Sequence, residues 1–126
     1  MRTFVAVIIA LIIFLGLAWW NTKYLLNTSK ELAQEAENIR KSLVDESWDQ
    51  VNAQVMQFRR LWGRRKKTWL LLVDHDDIDE IDRIIFKIDE MVKLKEKEQA
   101  LSDIAELRFL FHDIADKEIL DLANIL

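Results

Sequence analysis

The sequence predicts an all-α protein: an N-terminal transmembrane helix followed by an antiparallel helical bundle of about four helices. Three observations carry that expectation. Residues 3–22 hold no charge over a length that matches a bilayer. Behind them, apolar residues recur at spacings of three and four in four separate stretches. The 126 residues also include no proline and only two glycines, Gly16 and Gly63, so tight turns are scarce and long helices follow. Two units are expected, an anchor over residues 1–26 and a bundle over residues 27–126.

The anchor rests on length and chemistry. At 1.5 Å per residue, the 20 residues from Thr3 to Thr22 reach about 30 Å, the thickness of a hydrocarbon core. Eleven of them are Leu, Ile, Phe or Val, which together favour insertion by roughly 3–6 kcal/mol. Trp19, Trp20 and Tyr24 close the segment with rings suited to the lipid–water boundary. A cleaved signal peptide is the rival reading, because Gly16-Leu17-Ala18 places small residues for cleavage before Trp19. The apolar run exceeds the usual signal length and the basic leader is nearly absent, which favours an uncleaved signal-anchor. A buried core helix would carry a polar stripe, and this segment has none.

Orientation pits two rules against each other. Lys23, Lys30, Arg40 and Lys41 follow the segment while Arg2 alone precedes it, which favours a cytoplasmic bundle. Long domains, however, cross largely regardless of charge, and an apolar helix starting at residue 3 exports the chain behind it. The expectation is a single-pass protein of the cell membrane with its bundle outside the cytoplasm.

Four helices account for the rest. Thr28-Ser29-Lys30-Glu31 fits a capping box, with Leu32, Ala36, Ile39 and Leu43 as the stripe behind it. Nothing between Trp20 and Thr28 forces a break, so this helix can also continue from the anchor. Ser47-Trp48-Asp49-Gln50 fits a second box, leading a helix to about Val73 with Trp48, Val51, Val55, Phe58, Trp62 and Trp69 on one face. A third helix starts at the acidic stretch from Asp74 and carries Ile78, Ile81, Ile85, Ile88 and Val92. After a connection at Lys95-Glu96-Lys97, the fourth carries Leu101, Ile104, Leu107, Phe111 and Ile114. The tail residues Ile119, Leu122, Ile125 and Leu126 are expected to fold back onto the bundle. Short linkers between such stripes imply antiparallel neighbours.

Composition removes several chemistries. Without cysteine there is no disulfide, thiolate nucleophile or cysteine for lipid attachment. Setting aside Arg2 and Lys23 leaves 16 basic against 22 acidic residues, and a net charge of −6 does not attract nucleic acid. The two histidines, His75 and His112, lack the Glu-x-x-His spacing of bundle metal proteins. His75 and Asp79 share a helix face within Asp74–Asp82, so a divalent metal is conceivable there. Acidic residues at a helix start more often answer the helix dipole and its unpaired N–H groups. His112 reads as a helix-end histidine. No catalytic residue, metal or cofactor is expected, and the chain reads as a non-enzyme.

The sharper feature is basic. Arg59, Arg60, Arg64, Arg65, Lys66 and Lys67 put six positive charges into nine residues, interleaved with Trp62. They form the candidate interaction surface. The competing reading is internal neutralisation: six acidic residues lie in 74–82, and a reversal near Asp74 would lay the two segments side by side. The tryptophans at 48, 62 and 69 read as core, with a ligand-binding aromatic box as the minor alternative.

Trp48 at a helix start, the Trp62–Trp69 region leading into Asp74-His75-x-x-Ile78, the Leu101–Leu107 helix and the terminal Asn124-Ile125-Leu126 together resemble a bacterial family, domain of unknown function 4363. The resemblance covers nearly the whole chain. It implies a small single-pass protein with a helical, extracytoplasmic domain, and no established activity whose residues could be carried over. The expected function is that of an accessory protein presenting a helical surface to a membrane or envelope protein, or to a second copy as a homo-oligomer. Its partners would be membrane lipid, through the anchor, and that protein. The alternatives are a binder of polyanions or lipid headgroups through the basic segment, and a metal-dependent enzyme or sensor at His75.

Overall fold

The computed structural model describes residues 1–125, and within them every regular element is an α-helix. Four helices follow in order: α1 Arg2–Val44, α2 Trp48–Leu72, α3 His75–Lys93 and α4 Lys97–Ile125. Each packs against its two neighbours, α1 on α2, α2 on α3, α3 on α4 and α4 on α1, which closes a four-helix ring. Cross-pairs fix the directions. Trp69 meets Thr28 while Arg65 meets Glu31, so α2 runs against α1. Trp62 meets Asp82 while Arg59 meets Asp89, so α3 runs against α2.

The apolar N-terminal segment and the first bundle helix are one helix. α1 spans 43 residues, about 65 Å, with no interruption at Thr28. Its first half is long and apolar enough to cross a membrane, and the most apolar 18-residue window has none of its residues buried in the bundle. Burial begins at Leu25 and continues through Leu32, Ala36, Ile39 and Leu43. The capping box expected at Thr28 is therefore wrong. Inside a continuous helix the Thr28 hydroxyl has no free backbone N–H to accept from, and it instead donates back to the Tyr24 carbonyl at 2.9 Å.

The remaining stripes pack as their periodicity predicts. Val51, Val55, Phe58, Trp62 and Trp69 of α2 are buried, as are Ile78, Ile81, Ile85, Ile88 and Val92 of α3 and Ile104, Leu107, Phe111 and Ile114 of α4. Trp48 and Leu101 are only partly covered and pack at the core's edge. Ser47 and Asp74 hold the N-cap positions of α2 and α3, but neither makes a side-chain capping bond.

Two turns lie at the end of the bundle remote from the apolar half of α1, and both are Schellman motifs. The N–H of Ser47 reaches the Ser42 carbonyl and that of Glu46 the Leu43 carbonyl, at 3.1 and 3.0 Å. Glu96 and Lys95 repeat this with Met91 and Val92, at 2.9 and 3.1 Å. The pivot of each motif needs a left-handed backbone, a role glycine usually takes. Here Glu46 and Lys95 fill it, with φ of 56° and 55°. Lys97 ties the two turns together by donating to the Val44 carbonyl at 3.3 Å and to Glu46 at 3.2 Å.

The tail departs from expectation. It does not turn back, because α4 continues as helix to Ile125. Ile119 and Leu120 are 40% and 62% exposed, and Leu122 is half-buried. The expected packing of Leu126 and of the Ile125 side chain lies outside the described residues. His112 is exposed in the middle of α4 and does not mark a helix end.

Candidate interaction surface

The basic segment lies on α2 with its apolar neighbours turned inward. Phe58, Trp62 and Trp69 point to the core, and Trp62, Trp69 and Phe111 meet with ring centroids 5.5–6.0 Å apart. The Trp62–Trp69 and Trp69–Phe111 contacts are edge-on, a favoured aromatic geometry. Phe58 joins at 6.3 Å from Phe111. These rings fill the core and enclose no ligand box, and Trp48 takes no part in the cluster.

The two helices that contribute no ring to this cluster, α1 and α3, both reach it with polar groups. The Trp69 indole N–H, fully buried, donates to the Thr28 hydroxyl at 2.9 Å. Ser29, also buried, donates to the Phe111 carbonyl at 2.7 Å and ties α1 to α4. On the third side Trp62 donates to Asp82 at 2.8 Å. Sequence reasoning missed Thr28 and Ser29. Their signal was their spacing, since they fall on the stripe between Leu25 and Leu32. Asp103, 1% exposed beside Ile104, was missed as well; Gln99 donates to one of its oxygens at 3.0 Å and Lys87 approaches at 3.6 Å.

The six basic residues divide into two sets. Arg59 pairs with Asp89 at 3.2 Å, and Lys66 with Asp82 at 2.7 Å, both across the α2–α3 seam. Arg65 turns the other way and holds Glu31 of α1 through two bonds, at 2.9 and 3.2 Å. That bond to Glu31 raises the Arg65 pKa above its already high ordinary value. Internal neutralisation therefore accounts for three cations, but only Lys66 finds its partner in the 74–82 segment. Arg60, Arg64 and Lys67 make no ion pair among the described residues and are exposed. Spaced by four and three, they line one outward stripe of α2. Beside them an open groove between α1 and α2 is lined by Glu31, Glu35, Gln57 and Leu61 together with Arg60 and Arg64.

The acidic stretch collects at the turn into α3. Asp74 takes the N-cap position, His75 opens the helix exposed, and Asp76 and Asp77 fill its first turn, where carboxylates meet the positive end of the helix dipole. No group of three or more metal-ligating side chains comes together among the described residues. Further acids of α4 stand against this turn. The Glu118 carboxyl is raised above its ordinary value of 4.5, first by burial and then by Asp121, Asp74 and Asp77. Elsewhere Glu37 accepts from Arg40 within α1 and joins α1 to α4 by pairing with Arg108 at 2.7 Å, and its carboxyl is lowered by the Arg40 bond above all.

A family model described as "Domain of unknown function (DUF4363)" matches residues 19–125, which is the bundle together with the tryptophan pair at its entrance. No curated protein and no solved structure matches the chain.

Proposed function

The chain belongs to the family described as Domain of unknown function (DUF4363), and from that premise we propose that it is a membrane-anchored, non-enzymatic accessory protein whose bundle offers the outward face of α2 to an acidic partner at the membrane. One observation carries the reading. Three of the six cations of the basic segment are held by Asp89, Asp82 and Glu31, and the three left unpaired align as a single stripe, Arg60, Arg64 and Lys67. A stripe of unpaired cations favours an anionic surface. It sits on a helix packed directly against α1, and confinement by the anchor raises the effective concentration of any partner in the same membrane, so a small surface suffices. The partner class is a membrane or envelope protein, and the bundle stands outside the cytoplasm.

The test has two parts. The chain has no cysteine, and Ser102 is exposed on α4, so Ser102→Cys gives one label site. A membrane-impermeant maleimide applied to intact cells labels it if the bundle is external, whereas labelling only after lysis overturns the orientation. A photo-crosslinker placed at Gln57 then reads what lies against the stripe. A protein adduct lost on converting Arg60, Arg64 and Lys67 to Glu supports the reading, and an adduct indifferent to that change refutes it.

A second reading uses the same stripe for lipid headgroups or another polyanion. It is favoured by Lys67, which stands one turn before the exposed Leu71 at the end of α2 nearest the apolar half of α1. In that case the crosslinker captures lipid, and the adduct falls steeply with salt.

A further inference from the structure

The register between the helices fixes what lies beside the foot of the anchor. The Thr28–Trp69 and Ser29–Phe111 hydrogen bonds level these residues with one another. Going from Thr28 back to Trp20 covers eight residues, about 12 Å, and going from Phe111 on to Leu120 covers nine, about 13.5 Å, in the same direction because α4 opposes α1. Leu120 therefore stands level with Trp20. On α2, Leu71 lies two residues past Trp69, about 3 Å, which brings it level with Leu25 and Leu26. A shallow cleft in which Ala18, Thr22 and Leu25 share walls with Leu71, Glu118 and Leu122 shows the same levels directly.

At this end the bundle exposes large apolar side chains. Leu71 is 84% exposed, Leu120 62%, Ile119 40% and Leu70 37%. Each helix that reaches this level repeats one order toward the anchor, a lysine followed within four residues by exposed apolar side chains. The order is Lys23 then Trp20 and Trp19 on α1, Lys67 then Leu70 and Leu71 on α2, and Lys117 then Ile119 and Leu120 on α4. Interfacial segments use this order, with the ammonium in the headgroups and the apolar group below it. Lys23 also lies over the Trp19 ring, 5.0 Å from its centroid.

We propose that this end of the bundle, through Leu70 and Leu71 of α2 and Ile119 and Leu120 of α4, is seated in the interfacial layer of the bilayer that α1 enters. The inference rests on α1 crossing the membrane. Set at Trp20, two residues inside the end of the uncharged segment, the hydrocarbon boundary is level with Leu120, and Leu71 falls five or six residues above it, about 7.5–9 Å. That is the outer edge of a headgroup layer about 5–8 Å deep on each side. Asp74 stands above this boundary and Asp121 one residue below it, within a side chain's reach of the headgroups, and they limit the depth, because carboxylates stay among hydrated headgroups. The unbroken α1 makes the seat geometric: no flexible joint lets the bundle lift away or lie down. The stripe of Arg60, Arg64 and Lys67 then stands upright from the membrane at a fixed height.

The test uses the full-length chain in phosphatidylcholine nanodiscs, spin-labelled at one introduced cysteine at a time: Leu71→Cys, Leu120→Cys, Leu94→Cys at the remote end, and Ile12→Cys inside the span. Collision with oxygen reports lipid, and collision with a water-soluble nickel chelate reports solvent. The expected result is an oxygen-to-nickel ratio several-fold higher at 71 and 120 than at 94, and highest at 12. Ratios at 71 and 120 equal to that at 94, with 12 still lipid-exposed, overturn the seat while leaving the anchor intact. A position 12 that reads as aqueous overturns both. Labels at 71 and 120 shielded from both reagents mean that protein covers this end, and they overturn the seat in favour of a second copy or another chain.

Discussion

The indole N–H of Trp62 donates to Oδ1 of Asp82 at 2.8 Å, and the Lys66 ammonium reaches Oδ2 of the same carboxylate at 2.7 Å. One acid thus answers a core ring and a surface cation, and locks α2 against α3. Removing it strands a donor on a buried tryptophan. Asp82→Ala is expected to cost about 1–3 kcal/mol, the penalty of an unpaired buried donor. Lys66→Met removes only a half-exposed ion pair and costs about 0–1 kcal/mol. Asp82→Asn keeps an acceptor for the indole and falls between. Denaturant unfolding of the detergent-solubilised chain, followed by tryptophan fluorescence, ranks the three. Equal losses for Asp82→Ala and Lys66→Met would mean that the indole bond contributes nothing.

A parallel case joins α1 to α2. Thr28→Val removes the acceptor of the fully buried Trp69 N–H and is expected to cost about 1–3 kcal/mol. Thr28→Ser keeps the hydroxyl and loses less. The sharper measurement is a double-mutant cycle. Trp69→Phe deletes the donor, so adding Thr28→Val to it should cost less than in the native chain, with a coupling of about 0.5–3 kcal/mol. Strict additivity would remove this bond from the account of the core.

These two bonds mark where the sequence stops being legible. The stripes were readable because helical period alone turns Val51, Phe58, Ile78, Ile88 and Phe111 inward, and all are buried. Thr28 and Ser29 were not, because their partners, Trp69 and the Phe111 carbonyl, lie 41 and 82 residues away. Local pattern gave them a capping role, and a tertiary contact displaced it. The basic segment was legible as a charge run, but its division was not. Which cations stay free depends on where Glu31, Asp82 and Asp89 stand once three helices have packed. Asp103 hid for the same reason, as a polar residue beside the stripe that is covered only when α3 and α4 close.

Backbone strain at the remote end gives a stabilising prediction. Lys95 holds a left-handed conformation without being glycine and makes no ion pair among the described residues. A left-handed residue with a side chain costs roughly 1–2 kcal/mol, partly offset by the greater freedom of glycine in the unfolded chain. Lys95→Gly should therefore stabilise by about 0.5–1 kcal/mol. Glu46→Gly relieves the same strain but forfeits the contact with Lys97, so its gain should be smaller. Thermal unfolding of the two variants against the parent decides it, and a loss at Lys95→Gly would count against the strain.

The division of the basic segment predicts opposite costs for equal changes of charge. Converting Arg60, Arg64 and Lys67 to Glu touches no ion pair and should leave stability within about 0.5 kcal/mol per site. Converting Arg59, Arg65 and Lys66 to Glu breaks three interhelical pairs and sets like charges against Asp89, Glu31 and Asp82. It should cost about 1–3 kcal/mol in total, since each exposed or half-exposed pair contributes about 0.2–1 kcal/mol. Melting temperatures of the two triple variants give the comparison, and equal losses would erase the distinction on which the proposed surface depends.

Acid at the end of the bundle nearest the apolar half of α1 predicts a pH signature. Burial and the neighbouring Asp121, Asp74 and Asp77 raise the Glu118 carboxyl above its ordinary value of 4.5. Between that value and the raised one, the folded chain holds a proton that the unfolded chain has released. Stability from this site therefore falls as pH rises through that window, and above it the ionised carboxylate opposes folding in full. Glu118→Gln removes the ionisation. Its melting temperature should exceed the parent's at pH 7 and converge on it below pH 4.5, where Glu118 is protonated in both states. A difference that stays constant across this range would trace to packing of the amide and not to charge. A parent that gained stability from this site on going from acid to neutral would mean that Glu118 is held ionised in the fold despite its burial and the acids around it.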